Sequence, residues 1–330
     1  MVIKNIIECI DSHTAGEPTR LVIDGLPKII GKNIKEKTKY FSKNLDNYRS
    51  ILTGEPRGHA PMHAAIYIPS NSNKSDFELI LMSALGYLDM CGHALIGSIT
   101  SLVNSKKFLL SKSNNLIKIE TCAGLIKVII NWDKKNIQSI SFINQESFAI
   151  KKEFEVHIPE YGKFKVNLAY GGLWYIIVNS KSIGIKIEKR NLKELIFLGK
   201  KIRFKINFKL NKINSTIKLP KNIPQTLFFE DINDQCGRNF VTSDELGFDR
   251  SPCGTGCCAR LALMFSQGKI KENEIYTQKS IIDTSFISKI IQTSKKGKII
   301  PQITGSAFIT GFNNLYVDPN DKIKNGFFLN

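Results

Sequence analysis

The chain has 330 residues with 47 Lys and Arg against 29 Asp and Glu, a net charge of +18, and is 42% hydrophobic. That length suits about two domains of ~150 residues, and the apolar content excludes a disordered chain. The charge permits nucleic-acid or membrane-surface binding without requiring either, while seven cysteines, an odd number, argue against a disulfide framework and for a reducing, cytoplasmic compartment.

The N-terminal MVIKNIIECIDSHT is charged too often to hold the apolar centre of a signal peptide. No apolar run approaches ~18 residues without charge, so no membrane span is expected. Ala94 to Asn104 reads as a helix following a Cys-Gly pair. Leu116 to Glu120 and Leu125 to Trp132 flank Cys122-Ala123-Gly124 and read as a hairpin. Further strands are expected at Ser139 to Asn144, Phe154 to Ile158, Lys163 to Tyr170 and Leu173 to Asn179, the last two broken by Gly171-Gly172. A helix begins near Asn191, its expected cap. Another spans Gly256 to Gln267 and stops at Gly268. Many strands with few helices give an α+β chain. Lysines are spread throughout, most densely over Lys200 to Lys221, and read as decoration of a solvated surface; the clustered Arg and exposed aromatic residues of a nucleic-acid footprint are not expected.

Cys91 and Cys253 lie 162 residues apart, about half the chain. Each opens a Cys-Gly pair before an apolar run, and each follows an acidic residue, Asp89 or Asp249. The pattern resembles a diverged duplication and implies two similar lobes facing each other across a cleft. A first helical turn has unpaired N–H groups and partial positive charge. It therefore favours thiolate over thiol and holds carboxylates, and glycine after the cysteine admits a ligand close to the backbone. Two such cysteines on opposite faces of a carbon next to a carboxylate suit inversion: a thiolate removes the α-proton and the opposing thiol delivers another. The helix ends would stabilise the enolate-like charge in a site that excludes water.

At these residues the chain resembles the cofactor-independent proline racemase superfamily. The likeness is carried by DSHTAGEPTR (Asp11 to Arg20), EPRGHAPMHAAI (Glu55 to Ile66), MCGHALIG (Met90 to Gly97), DRSPCGTG (Asp249 to Gly256) and GSAFITGFNNLYVDPND (Gly305 to Asp321). It implies a diaminopimelate-epimerase-like fold, two pseudo-symmetric β-rich lobes each wrapped around a central helix, with the active site in the cleft. The first lobe would be 1–165, completed by 309–330, and the second 166–308. By resemblance, Cys91 and Cys253 are the acid/base pair. Gly92, His93, Gly254 and Thr255 match residues around the substrate carboxylate and ring nitrogen, and Asp249 matches the acid that contacts the ring amine. No metal or other cofactor is implied. The expected partner is an imino acid, without membrane or nucleic acid, and a homodimer is expected by resemblance alone.

Dehydratases acting on trans-3-hydroxyproline usually carry Thr at the second cysteine, so Cys253 favours two-base epimerisation over dehydration. His63, where proline racemases tend to have an aromatic residue, leans towards a hydroxyproline. Proline, 4-hydroxyproline and 3-hydroxyproline all stay open as substrates. The alternatives are a trans-3-hydroxy-L-proline dehydratase and, among non-enzymes, a basic nucleic-acid-binding protein on the same fold. Cys9, Cys122 and Cys236 read as buried packing residues, and Cys257-Cys258 as a change of packing. Cys253, Cys257 and Cys258 lack the spacing of a metal site. His13, His59 and His63 fit structural hydrogen bonding as well as substrate contact. Glu55 with Arg57, and Asp249 with Arg250, are candidate ion pairs.

Overall fold

Phe154, Val156 and Ile158 are buried while the residues between them are exposed, the period-two pattern of a half-buried strand. The computed structural model describes residues 6–70, 73–110, 115–212, 219–220, 222–243, 247–294 and 296–329. The chain divides into two units, Met1–Phe142 with Gly305–Asn330, and Ile143–Thr304.

The first unit runs β1 (Ile6–Thr14), β2 (Glu17–Asp24), α1 (Ile34–Asn44), α2 (Asp46–Thr53), β3 (His63–Pro69), β4 (Phe77–Ser83), β5 (Gly86–Leu88), α3 (Gly92–Asn104), β6 (Leu116–Thr121), β7 (Gly124–Asp133) and β8 (Asn136–Ile143). The second runs β9 (Phe148–Ala149), β10 (Phe154–Ile158), β11 (Gly162–Tyr170), β12 (Trp174–Asn179), α4 (Leu192–Lys212), β13 (Gln225–Asn233), β14 (Cys236–Ser243), β15 (Gly247–Phe248), α5 (Gly254–Ser266), β16 (Ile275–Lys279), β17 (Ser285–Thr293) and β18 (Ile299–Gly305). The last strand, β19 (Ala307–Tyr316), pairs antiparallel with β1 and so completes the first unit.

The same succession of pairings occurs in both units. In the first, β1 and β2 are antiparallel, α1 and α2 cross over to place β3 parallel to β2, and β3, β4 and β5 follow antiparallel. Then comes α3, after which β6 lies parallel to β4 and antiparallel to β7. In the second, β11 and β12 are antiparallel, α4 crosses over to place β13 parallel to β12, and β13, β14 and β15 follow antiparallel. Then comes α5, after which β16 lies parallel to β14 and antiparallel to β17. The duplication read from two Cys-Gly helices thus extends to the pairing order.

Both helices that follow the cysteines are buried along nearly their whole length, as a helix apolar on all sides must be. α1 is different: its sequence IKEKTKYFSKN is mostly polar and buries only Ile34, Lys37 and Phe41. Lys37 is kept in the interior by an ion pair with Glu78, 2.7 Å away on β4. α4 buries Leu195, Leu198, Ile202, Ile206 and Leu210, three or four residues apart. Asn191 directly precedes α4, and its side-chain amide donates to the Lys186 carbonyl. The outer face of α4 carries exposed Phe197, Phe204 and Phe208, with Lys201 and Lys212 lying over the first and last rings. Composition does not show this exposure, because Phe at these positions is indistinguishable from a core residue.

Among the described residues no helix is long and apolar enough to cross a membrane.

Candidate active site

Cys91 is the N-cap of α3, in extended conformation (φ −145°, ψ 113°), and its carbonyl accepts the first helical hydrogen bond, from Leu95 at 2.9 Å. Its side chain is 9% exposed. The helix begins at Gly92, one residue past the cysteine, so the first-turn amides of Gly92 and His93 belong to the set with no intrahelical acceptor. The sulfur lies 3.3 Å from Nδ1 and 3.7 Å from Nε2 of His93. The His93 carbonyl in turn accepts from the Thr14 hydroxyl at 2.7 Å, which anchors the helix start to β1.

His63, at the start of β3, meets the His93 ring edge-on with 4.4 Å between centroids. Its Nδ1 lies 3.1 Å from the Pro61 carbonyl; a carbonyl only accepts, so this nitrogen carries the proton. Burial lowers the His63 imidazole to about 4, opposed by that hydrogen bond. Burial, and then the neighbouring His63, hold His93 well below the ordinary histidine range. Both rings are therefore neutral at pH 7. The potential ligand atoms of His63, Cys91 and His93 all lie within 4.8 Å of one another, a metal-capable grouping that spacing in the sequence does not reveal.

Cys253 is the N-cap of α5, with the Cys257 amide donating to its carbonyl at 2.7 Å. Its backbone sits at φ 67°, ψ 106°, a region that costs a non-glycine residue on the order of 1–3 kcal/mol and recurs at functional sites. The preceding loop fixes it there: the Ser251 amide donates to Asp249 at 2.8 Å, and the Cys253 amide donates to the Ser251 hydroxyl at 3.1 Å. The sulfur lies 3.4 Å from the Tyr175 hydroxyl and 3.9 Å from that of Thr255, and these two hydroxyls are 2.6 Å apart. Burial, and then the Asp249 carboxylate, push the Cys253 thiol well above its ordinary value, while Tyr175 and the Gly256 amide pull it down. Burial also raises the Asp249 carboxyl, against hydrogen bonds from Ser251 and Cys253. Asp249, Cys253, Gly254 and Thr255 are thus gathered at one helix start, as Cys91, Gly92 and His93 are at the other.

Tyr175, 1% exposed on β12, had no distinguishing signal in the sequence, where it was one strand residue among several. The Gly171-Gly172 break brings it close. A Cβ on Gly171 would fall 2.2 Å from the Thr255 carbonyl and 2.4 Å from the Ala259 amide, so only glycine lets α5 lie this near the β11–β12 turn. Cys257 and Cys258 are fully buried. Cys257 donates to the Pro252 carbonyl, and burial pushes the Cys258 thiol up to about 12, in keeping with packing.

Other segments singled out in the sequence act as framework. Asp11 and Arg20 form a two-pronged ion pair at 2.9 and 2.8 Å, and Arg20 also donates to the carbonyls of Leu52 and Arg57. Asn313 on β19 donates to the same Asp11 carboxylate. Arg57 pairs with Asp321, whereas Glu55 bridges by its backbone to Phe327. The Arg250 guanidinium lies over the Phe248 ring. His13 accepts from the Gly16 amide at 3.3 Å and packs on Phe308.

The model of the proline racemase family matches residues 9–328. The chain is 36% identical to a proline racemase of Acetoanaerobium sticklandii, covering 97% of this chain and 98% of that protein. It is 33% identical to a trans-3-hydroxy-L-proline dehydratase of Bacillus cereus, with 100% of both chains covered. Among solved structures, a hydroxyproline epimerase from Agrobacterium vitis with bound trans-4-hydroxy-L-proline matches with a TM-score of 0.85 at 26% identity, over 100% of this chain and 97% of that one. A phenazine biosynthesis protein of Bacillus anthracis, at 14% identity and a TM-score of 0.61, shares the fold alone. The fold is α+β and diaminopimelate-epimerase-like. The chain belongs to the proline racemase family.

Proposed function

We propose that the protein is a cofactor-independent racemase or epimerase that inverts the α-carbon of proline or a hydroxyproline, with Cys91 and Cys253 as its acid/base pair. The observation that carries this is the position of the two cysteines: each caps the central helix at the same step of the repeated pairing order. Chemistry supports the division of labour. Cys253, raised by burial and by Asp249, rests as a thiol and is the proton donor. Cys91 caps α3, whose first turn favours a thiolate, and is the base. The amides of Gly92 and His93, and of Gly254 and Thr255, hold the substrate carboxylate as charge builds on it. Asp249 meets the ring amine. Reversal of the reaction exchanges the roles of the two sulfurs.

The substrate is an imino acid, and a hydroxyproline is slightly favoured over proline. His63 is a polar group beside His93, where an aromatic residue would suit an unsubstituted ring. Dehydration of trans-3-hydroxy-L-proline is the second reading, favoured by the named relative in Bacillus cereus and opposed by the thiol at 253.

The test is incubation of L-proline, trans-4-hydroxy-L-proline and trans-3-hydroxy-L-proline in deuterated water, with optical rotation and mass read together. Epimerisation gives inversion with deuterium at the α-carbon, and Cys91→Ser and Cys253→Ser each lower turnover by about 10²–10⁴-fold. Turnover falls at alkaline pH once Cys253 ionises, above the ordinary thiol value of 9.0. A pyrroline product that persists in Cys253→Ser would establish the dehydratase instead. Absence of exchange on all three substrates, with steeply salt-dependent nucleic-acid binding, would establish a binding protein.

A further inference from the structure

We propose that His63, Cys91 and His93 bind one soft divalent cation of the Zn2+ class, and that its binding withdraws Cys91 from proton transfer. The binding half stands on geometry alone; the inhibitory half rests on the acid/base role given to Cys91 above.

Among the described residues this is the one grouping of three His, Cys, Asp or Glu side chains with ligand atoms within 4.8 Å of one another, and all three residues are buried. Its donors are one sulfur and two imidazole nitrogens, the set that selects zinc over magnesium or calcium. Zinc bonds of ~2.3 Å to sulfur and ~2.0–2.1 Å to nitrogen in a tetrahedron separate S and N by about 3.5 Å; the Cys91 sulfur lies 3.3 Å from Nδ1 and 3.7 Å from Nε2 of His93, over the ring face, so ligation turns the imidazole until a nitrogen lone pair faces the cation. His63 is oriented as ligating histidines usually are, with Nδ1–H given to a carbonyl, that of Pro61 at 3.1 Å, which leaves the Nε2 lone pair for a metal. The two rings stand edge to face at 88° with 4.4 Å between centroids, close enough for side-chain rotation to bring one nitrogen of each to a shared cation. Three protein ligands leave a fourth position for water or a substrate carboxylate. The surroundings of Cys253 differ: Tyr175, Thr255 and Asp249 offer only oxygen. The cation thus distinguishes between the two thiols. The Cys91 thiolate bonds the metal through its sulfur, and any Cys91 still protonated releases that proton to solvent; no oxidation occurs, and a chelator reverses the step.

The intact, metal-free protein is titrated with Zn2+ against a chromophoric chelator, and with Co2+ by absorption spectroscopy. One equivalent per chain is expected, with a thiolate-to-Co2+ charge-transfer band. X-ray absorption of the zinc-loaded, unmutated chain should show one sulfur and at least two nitrogens bound, a result independent of how any variant folds. Cys253→Ser and Cys122→Ser keep the band, Cys91→Ser loses it, and His63→Phe weakens binding at least tenfold. No band, a zinc shell without sulfur, or a band retained by Cys91→Ser overturns the site. If one bound equivalent leaves α-proton exchange unchanged, the inhibitory half falls while the site stands. If the metal binds but the metal-free protein exchanges no α-proton, the proposed racemase function falls and the site again stands.

Discussion

Cys91 and Cys253 are the same residue at the same step of the fold, yet nitrogen surrounds one and oxygen the other. Burial and the Asp249 carboxylate raise the Cys253 thiol, whereas the groups beside Cys91 are two neutral imidazoles, so the two surroundings differ although the framework repeats. Buried titrating groups also set the pH range of stability. His63 titrates at about 4 in the fold against an ordinary 6.5. Between those values the unfolded chain binds more protons than the native one, so stability falls as pH drops from ~6.5 towards ~4. Cys9 and Cys258 are raised from 9.0 to about 12. Above ~9 the unfolded chain has fewer protons bound than the native one, so stability falls again with rising pH. Urea unfolding across this range should show a plateau between about pH 6.5 and 9. His63→Gln should flatten the acid limb and Cys258→Ala the alkaline one; unchanged slopes in both variants would refute these assignments.

At the level of elements, packing decides where sequence pattern is weak. Gly171 permits α5 to touch the β11–β12 turn, and a methyl group there meets the α5 backbone at Thr255 and Ala259. Gly171→Ala should cost about 1–3 kcal/mol or more, as overpacking does, and should lower turnover by displacing Thr255; a chemical melt and an activity assay read the two effects. The Lys37–Glu78 pair joins α1 to β4 with both side chains 6% exposed. Glu78→Gln leaves a buried ammonium without its partner and should destabilise by about 3–5 kcal/mol. Neither α1 nor α2 is legible in the sequence: lysines interrupt the apolar spacing of α1, and one of them, Lys37, is buried, while α2 is only eight residues long with Arg49 in its middle. Phe204, 74% exposed on α4, makes the opposite case: Phe204→Ser should leave the melting temperature nearly unchanged, whereas Leu198→Ala on the buried face should cost about 2–5 kcal/mol.

For the molecule as a whole, the net charge of +18 opposes compactness through self-repulsion. Raising NaCl from ~10 to ~150 mM shortens the screening length from ~30 to ~8 Å, and the melting temperature should rise. A fall would mean that ion pairs such as Arg238–Asp283 and Lys201–Glu160 outweigh the repulsion. The repeat is a property of this scale too. Two Cys-Gly helices half a chain apart disclosed it, but its extent is visible only in the pairing order: parallel crossover, antiparallel pair, helix, parallel return.

The residues alone determined the two helix-capping cysteines, the α+β class and the hairpin and strands in the middle of the chain, since those depend on short-range pattern: a glycine next to a cysteine, an apolar residue every second position. Tertiary structure alone decided what stands around each sulfur. His63 and Tyr175 reach Cys91 and Cys253 from strands 28 and 78 positions away along the chain, and no local pattern encodes a neighbour that far off. Protonation follows the same division, because a thiol or imidazole is shifted by burial and by nearby charge, and both exist only once the chain has folded.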